Sequence, residues 1–173
     1  MSQPSTTEEQ RLAHGERVVA HLRAGGTLGD LLGVQDAELD AAYAMACFFY
    51  ERDEYDTALR LFGLLLAANP FETRYLIGMG MTQQVLKNYD DAIGYYASAL
   101  VFDFDDPLPG FHTAECLVHK GQPEDALTTL SVCLSRANGP AHAAIKQKAL
   151  ELQGLLLAAK AAQMGKSGDK EPA

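Results

Sequence analysis

The sequence predicts an all-α protein in which a pair of helices is repeated three times along the chain. Two observations support this prediction. Small, bulky and acidic residues recur at a constant interval, and the apolar residues inside each interval follow the spacing of amphipathic helices. Hydrophobic residues make up 47% of the 173 residues and charged residues 21%, which is ordinary for a globular protein. The length suits one domain or a short repeat array.

The repeat is visible as columns of equivalent residues. Ala58, Ala92 and Ala126 are equally spaced, and their interval matches the period of a tetratricopeptide repeat, a helix–turn–helix unit of about 34 residues. Small residues predict close approach of the paired helices, and bulky residues four positions later lie on the same face. The same register aligns further columns: Tyr55 with Tyr89; Asp56 with Asp90 and Glu124; Phe62 with Tyr96 and Leu130; Ala46 with Gly80 and Ala114.

Turn signals divide these columns into helices. The segments RDEY, KNYD and KGQPED separate the two helices of each repeat, and Pro70 and Pro107 mark the junctions between repeats. We expect three repeats within residues 37–138. The predicted helices are at about 37–52, 55–68, 72–86, 89–102, 108–120 and 123–136, in repeats of about 39–72, 73–106 and 107–138.

Segments of a different character flank the repeats. Residues 8–34 predict an N-terminal helical region, and Pro140 predicts the start of a helix over 140–164. Residues 1–7 and 165–173 are polar and are predicted to be disordered. The apolar face of the C-terminal helix is predicted to cover the exposed end of the array; it consists of Ile145, Ala149, Leu152 and Leu156.

Charge and composition exclude several classes of function. The net charge of −9, without clusters of Lys and Arg, argues against nucleic acids and anionic membrane surfaces as partners. No apolar run approaches the roughly 20 residues of a membrane span, and the first residues lack the apolar core of a signal peptide. Three widely spaced cysteines favour a reducing compartment over a disulfide framework. We expect a cytoplasmic protein.

The first helices of successive repeats are predicted to line the concave side of the array. Apolar and aromatic side chains mixed with a few polar ones suit an extended peptide. An alternative is that Tyr43 and Tyr50 only pack between helices. The predicted groove residues are Asp40, Tyr43, Cys47 and Tyr50; then Arg74, Ile77, Met81 and Gln84; then Leu108, His112, Glu115 and Val118.

Residues 21–135 resemble the class II chaperones of bacterial type III secretion. The resemblance is carried by GGTLGDLLGVQDAELDAAY at 25–43, ERDEYDTALRLF at 51–62 and RYLIGMGMTQQVLKNYDDAIGYYASAL at 74–100. The most specific segment is DPLPGFHTAECLVHKG, at 106–121, because repeat sequences in general have no reason to combine these residues in this order.

The resemblance implies a chaperone of the bacterial cytoplasm that holds hydrophobic translocator proteins before export. Its concave groove is implied to bind a short, proline-bearing extended segment of the translocator. The groove positions of the family correspond to Tyr43, Cys47 and Tyr50, and the family has an aromatic residue where this chain has Cys47. We interpret this departure as an enlarged pocket. The resemblance also implies self-association through residues 8–34.

No enzymatic, metal or cofactor site is predicted. His112, Cys116 and His119 follow helical spacing beside Glu115, but a structural zinc site needs a fourth ligand and none is nearby in sequence. No pattern indicates an activated nucleophile or paired catalytic carboxylates. Two alternatives to the chaperone stay open, a generic repeat scaffold that binds a folded partner and a regulatory adaptor.

Overall fold

The computed structural model describes residues 6–168, and every regular element within that range is helical. The all-α prediction is therefore confirmed for this part of the chain. The elements are α1 Thr6–Arg23, α2 Leu28–Leu32, α3 Asp36–Glu51, α4 Tyr55–Ala68, α5 Thr73–Val85, α6 Tyr89–Phe102, α7 Pro107–His119, α8 Pro123–Arg136, a 3₁₀ turn Pro140–His142, and α9 Ala143–Gly168.

The period of the sequence is reproduced in the helix boundaries. The second helices of the three repeats, α4, α6 and α8, begin one period apart and end one period apart. Their last turns are closed in the same way, since the backbone N–H after each helix donates to a carbonyl four residues earlier: Asn69 to Leu65, Asp103 to Ala99 and Ala137 to Cys133, at 2.8–3.0 Å. The sequence repeat is therefore also a repeat of backbone geometry.

The turn inside each repeat has a left-handed residue at the same register. Asp53, Lys87 and Gly121 have φ of 62°, 65° and 73°, respectively. The residue that follows each of them donates its backbone N–H to a carbonyl five residues earlier, at 2.9 Å in all three repeats. This hydrogen bond and the left-handed residue define a Schellman motif, which satisfies the free carbonyls at the end of the first helix.

The described residues divide into two compact units, and the boundary lies inside α5, between Tyr75 and Leu76. In the first unit α3 packs along α4, and α2 packs against α4. The contact is built around fully buried Ala46 and Ala58, with Phe62 and Leu65 beside them. Full burial of an apolar side chain such as Phe62 contributes about 1.5–3 kcal/mol to folding.

The core of the second unit begins at Gly80 in α5, which lies against the ring of Tyr96 in α6. A Cβ atom added at Gly80 would lie 2.6 Å from a carbon of that ring, so only glycine permits this approach. Tyr96 is fully buried, and Ala92 and Cys116 are buried with it. The predicted role of the small-residue columns at the helix contacts is confirmed by these positions.

Helix α9 closes the second unit. Ala149 is fully buried in a core that it shares with Phe111 of α7 and Leu130 of α8. Three more residues of α9 pack against this core, namely Ile145, Leu152 and Leu156. All four residues predicted for the apolar face of this helix therefore pack against the core of α7 and α8. The salt bridge from Lys160 to Glu124, at 2.8 Å, connects the helix to α8 further along.

The terminal helices extend further toward the chain ends than predicted, and α9 begins at Ala143, after a 3₁₀ turn, instead of at Pro140. Helix α1 already begins at Thr6, and α9 continues to Gly168 instead of ending at Met164. The alanine-rich sequence of α9 favours helix, and no proline interrupts it before Pro172. The remaining residues predicted to be disordered, 1–5 and 169–173, lie outside the described residues. None of the helices that are described combines the length and apolar character that a membrane crossing requires.

Gly80→Ala should lower the free energy of unfolding by about 1–3 kcal/mol, measured by urea denaturation. Alanine is the better helix former, but its Cβ would collide with the buried ring of Tyr96. Gly94→Ala in α6 is the matched control, because nothing lies within 4 Å of an added Cβ there. The control should raise stability by up to about 1 kcal/mol. Equal effects at the two sites would contradict this account of the packing.

Lys87→Gly should raise the free energy of unfolding by about 1 kcal/mol, because a left-handed backbone is unfavourable for a residue with a Cβ. Gly121→Ala, at the equivalent position of the third repeat, should have the opposite sign and a similar size. Both values are obtained from denaturant melts of the full chain. A loss of stability in Lys87→Gly would show that the lysine side chain itself stabilises the turn.

Candidate functional site

The predicted groove residues of the first repeat lie on one face of α3. Asp40, Tyr43, Cys47 and Tyr50 are spaced three or four residues apart, which places them on adjacent turns of one side of the helix. Asp40 is exposed, and the other three are half-buried. All four therefore retain surface that a partner can contact.

The ring of Tyr43 is partly a core residue. It contacts Phe62 edge-on, with ring centroids 6.1 Å apart, and lies 5.7 Å from the ring of Tyr75. Burial raises the pKa of the Tyr43 hydroxyl to about 12, and a hydrogen bond with the Cys47 thiol adds to this effect. Tyr43 thus packs against core residues, as the alternative interpretation expects, while its side chain stays partly exposed.

Tyr50 is supported by the turn that follows α3. Its ring contacts that of Tyr55 edge-on at 5.7 Å, and the Tyr55 hydroxyl donates a hydrogen bond to Asp53, the left-handed residue of the turn. The geometry of this turn therefore fixes the aromatic surface at the end of α3. Cys47, one turn before, leaves a smaller side chain between Tyr43 and Tyr50.

Asp40 and Arg74 contact each other at the end of the first unit. The Arg74 guanidinium makes salt bridges of 3.2 Å to both Asp40 and Glu72, and it lies 5.1 Å from the centre of the Tyr43 ring. These contacts surround a polar cavity of about 290 Å³. Its lining residues are Asp36, Leu39, Asp40, Asn69, Glu72, Arg74 and Tyr75. Asp40 and Arg74 are therefore already paired, and Arg74 contacts the Tyr43 ring.

The predicted groove residues of the second unit fall into two groups, one apolar and one polar. Ile77 and Leu108 are half-buried, and Met81 packs against the core cluster around Tyr96. Val118 packs against the core of α7, α8 and α9. Part of the apolar surface predicted for the groove is therefore used in packing between helices.

The polar group is a hydrogen-bonded network of Gln84, Tyr96, His112 and Glu115. The Tyr96 hydroxyl donates to Oε1 of Gln84 at 2.7 Å, and Nε2 of Gln84 donates to Oε2 of Glu115 at 3.1 Å. Nδ1 of His112 lies 2.8 Å from the same carboxylate oxygen. The His112 ring stacks on the Tyr96 ring, with centroids 5.5 Å apart and planes 21° apart. Three helices, α5, α6 and α7, are joined by this network.

The network holds Glu115 in its charged form. Burial raises the pKa of this carboxyl, but the hydrogen bonds from His112 and Gln84 outweigh burial and place the pKa below its usual value. The charge is therefore present at neutral pH although the side chain is only partly exposed.

The three residues with the spacing of metal ligands, His112, Cys116 and His119, make different contacts and do not form one site. His112 belongs to the network, Cys116 is buried, and His119 is stacked on Tyr89 at 5.2 Å. Burial raises the pKa of the Cys116 thiol to about 11. Within the described part of the chain, no three His, Cys, Asp or Glu side chains are grouped in a way that could hold a metal ion.

Sequence reasoning missed the part that Tyr75 and Tyr96 take in the site. The sequence repeat identifies Tyr96 only as one of the equivalent bulky residues, although a buried tyrosine requires a hydrogen-bond partner. The change from Phe62 in the first repeat to Tyr96 in the second was the signal that could have revealed the network. Tyr75 follows Arg74 directly, and its role as a support for Tyr43 had no signal in the sequence.

Residues 39–70 and 75–106 match the family described as Tetratricopeptide repeat. These ranges correspond to the first two helix pairs. Low calcium response locus protein H of Yersinia pestis is 32% identical to the chain over 127 residues, which are 73% of this chain and 73% of that protein.

Solved structures of chaperones have the same fold. The type III secretion translocator chaperone SycD of Yersinia enterocolitica superimposes with a TM-score of 0.73 at 27% identity, over 75% of this chain and 98% of that chain. A second SycD structure, with a TM-score of 0.70 at 26% identity over 73% of this chain and 97% of that chain, is an alternative dimer.

PcrH is the chaperone of Pseudomonas aeruginosa in this group, and one of its structures is a complex with the chaperone binding region of PopD. That structure superimposes with a TM-score of 0.71 at 27% identity, over 74% of this chain and 97% of that chain. The identity and coverage of the Yersinia pestis relative, together with these folds, show that the chain belongs to the class II translocator chaperones of type III secretion, which are built from tetratricopeptide repeats.

Proposed function

We propose that this chain binds an extended segment of hydrophobic translocator proteins and keeps them soluble and competent for secretion in the bacterial cytoplasm. The observation that carries the proposal is its membership of a family in which PcrH has been solved with the chaperone binding region of PopD. The half-buried Tyr43, Cys47 and Tyr50 on one face of α3 support it, because they offer aromatic surface on either side of a small thiol.

The two tyrosines are suited to hold an apolar side chain of the segment. Aromatic rings provide a large contact area and lose little conformational entropy when their orientation is already fixed. Tyr43 is fixed by Phe62 and Tyr75, and Tyr50 by Tyr55. Cys47 between them favours a larger side chain in the bound segment than an aromatic residue at this position would accept.

The proposed mechanism requires neither an energy source nor a cofactor. Binding withdraws an aggregation-prone segment from self-association by mass action, so the protein acts as a chaperone without catalysing a reaction. The test is co-expression with a hydrophobic translocator protein of a type III secretion system, followed by calorimetry with short overlapping peptides from the N-terminal region of that translocator. A soluble complex and micromolar or tighter binding support the proposal. A partner that stays insoluble, together with no bound peptide, would favour a scaffold for folded proteins.

Tyr50→Ala should weaken binding of the best peptide roughly 10-fold or more, because truncating an aromatic anchor at an interface costs about 2 kcal/mol. Tyr43→Ala should weaken it too, but this variant also loses packing against Phe62 and Tyr75, so its stability is compared with that of Tyr50→Ala. Affinity is measured by calorimetry and stability by thermal unfolding.

Tyr95→Ala is the control for these variants, because Tyr95 is a half-buried tyrosine of α6, outside the predicted groove face. It should leave the peptide affinity unchanged. Unchanged affinity in Tyr50→Ala as well would remove α3 from the binding surface.

We also propose that the chain forms a homodimer through residues 8–34. Leu12, Val19 and Leu22 share one face of α1 and are 62%, 45% and 48% exposed, which leaves an apolar stripe without cover in the protomer. Leu28, Leu31 and Leu32 of α2 are exposed as well. The alternative dimer of SycD supports self-association as a property of such chains.

The double variant Leu12→Glu/Val19→Glu should convert the dimer into a monomer, because each substitution places a charge in the apolar stripe. The mass is measured by light scattering after size exclusion at micromolar concentration. Leu155→Glu, at a residue of α9 that is 69% exposed, is the matched control and should remain a dimer. A wild-type monomer, or a dimer that survives the double variant, would contradict the proposal.

A further inference from the structure

The network in the second unit fixes the tautomer of the neutral His112 ring. A carboxylate only accepts hydrogen bonds, so the Nδ1 that lies 2.8 Å from Oε2 of Glu115 must carry the proton. In the neutral imidazole, Nε2 is then left with its lone pair and is a hydrogen-bond acceptor. Glu115 therefore determines which kind of partner His112 can bind.

The acceptor atom of His112 is available to a partner. Among the described residues, the only buried side-chain nitrogen or oxygen without a hydrogen bond is Nδ1 of His142. Nε2 of His112 has no hydrogen bond within this part of the chain, so it must reach the surface. The side chain of His112 is 17% exposed and that of Glu115 31%, so both side chains reach solvent.

The orientation of the imidazole is fixed before any partner binds. Its ring lies on the fully buried ring of Tyr96, whose hydroxyl is bonded to Gln84, and Gln84 donates in turn to the carboxylate of Glu115. The four side chains thus form a closed circuit. A group held in this way loses little further entropy on binding, and this increases the contribution of a hydrogen bond to affinity.

We propose that Nε2 of His112 accepts a hydrogen bond from a backbone N–H of the bound translocator segment, and that Glu115 is the positioning residue for this contact. The inference rests on the proposed function, since it names an atom of the second unit that contacts the bound translocator segment. Proline has no backbone N–H, so the segment must have another residue at this place. His112 therefore determines where prolines in the segment are tolerated.

His112→Asn is the variant that tests the contact. The asparagine amide can occupy the place of Nδ1 beside Glu115, but no atom replaces Nε2. Loss of one hydrogen bond should weaken binding of the best translocator peptide by roughly 2- to 12-fold. Thermal unfolding of the same variant separates this effect from damage to the fold.

The second arm uses N-methylated versions of that peptide, in which each non-proline backbone N–H is blocked in turn. One methylation should weaken binding to the wild-type chain and have no further effect on His112→Asn. If the wild-type chain binds the peptide but no methylation is coupled to His112, the inference is overturned and the proposed function stands. If no peptide binds at all, both are overturned.

A third measurement uses NMR spectroscopy. In ¹⁵N spectra of the wild-type chain, His112 should be protonated at Nδ1, and its Nε2 resonance should shift when the peptide is added, as expected for a lone pair that accepts a hydrogen bond. Glu115→Gln should lose the preference for Nδ1. An Nε2-protonated ring in the free chain, or an Nε2 signal unaffected by the peptide, would contradict the proposal.

Discussion

The contact of Gly80 with the Tyr96 ring is the constraint on which the second unit depends. It allows the α5 backbone to approach α6 so closely that the tyrosine ring is fully buried. Because the ring is buried, its hydroxyl needs a partner inside the protein and finds it in Gln84. Gln84 also donates a hydrogen bond to Glu115, which is bonded to His112. The absence of a Cβ atom at Gly80 therefore determines both the packing of α5 against α6 and the position of the hydrogen-bonded network.

The repeated turns explain why a regular period can tolerate a variable sequence. Each first helix ends in the same Schellman motif, although the left-handed position is occupied by Asp53, Lys87 or Gly121. The backbone hydrogen bonds define this geometry, and the side chain only changes its energetic cost. A helix pair of this kind cannot bury its apolar face alone, which is why α9 is needed to cover the core around Phe111.

Most of the fold could be predicted because it depends on local spacing. The columns through Ala58 and Phe62 locate the helix contacts, and the second helices were predicted with the bounds that they have in the structure. The site was less accessible to this reasoning. The register places Arg74 and Gln84 on the groove face, but their hydrogen bonds to Asp40, Glu72, Tyr96 and Glu115 depend on rotamers and on residues distant in sequence. Periodicity carries no information about such contacts.

The three cysteines differ in their access to solvent, and this has a practical consequence. Cys116 and Cys133 are buried, and burial raises the pKa of both thiols, so neither is readily available as a thiolate. Cys47 is half-buried beside Tyr43 on the face proposed to bind the translocator. A thiol-reactive fluorophore on the folded chain should therefore react at one position. Because this chain has Cys47 where the family has an aromatic residue, a fluorophore can be attached to the native protein at the proposed binding face. Its emission would then report whether a peptide is bound.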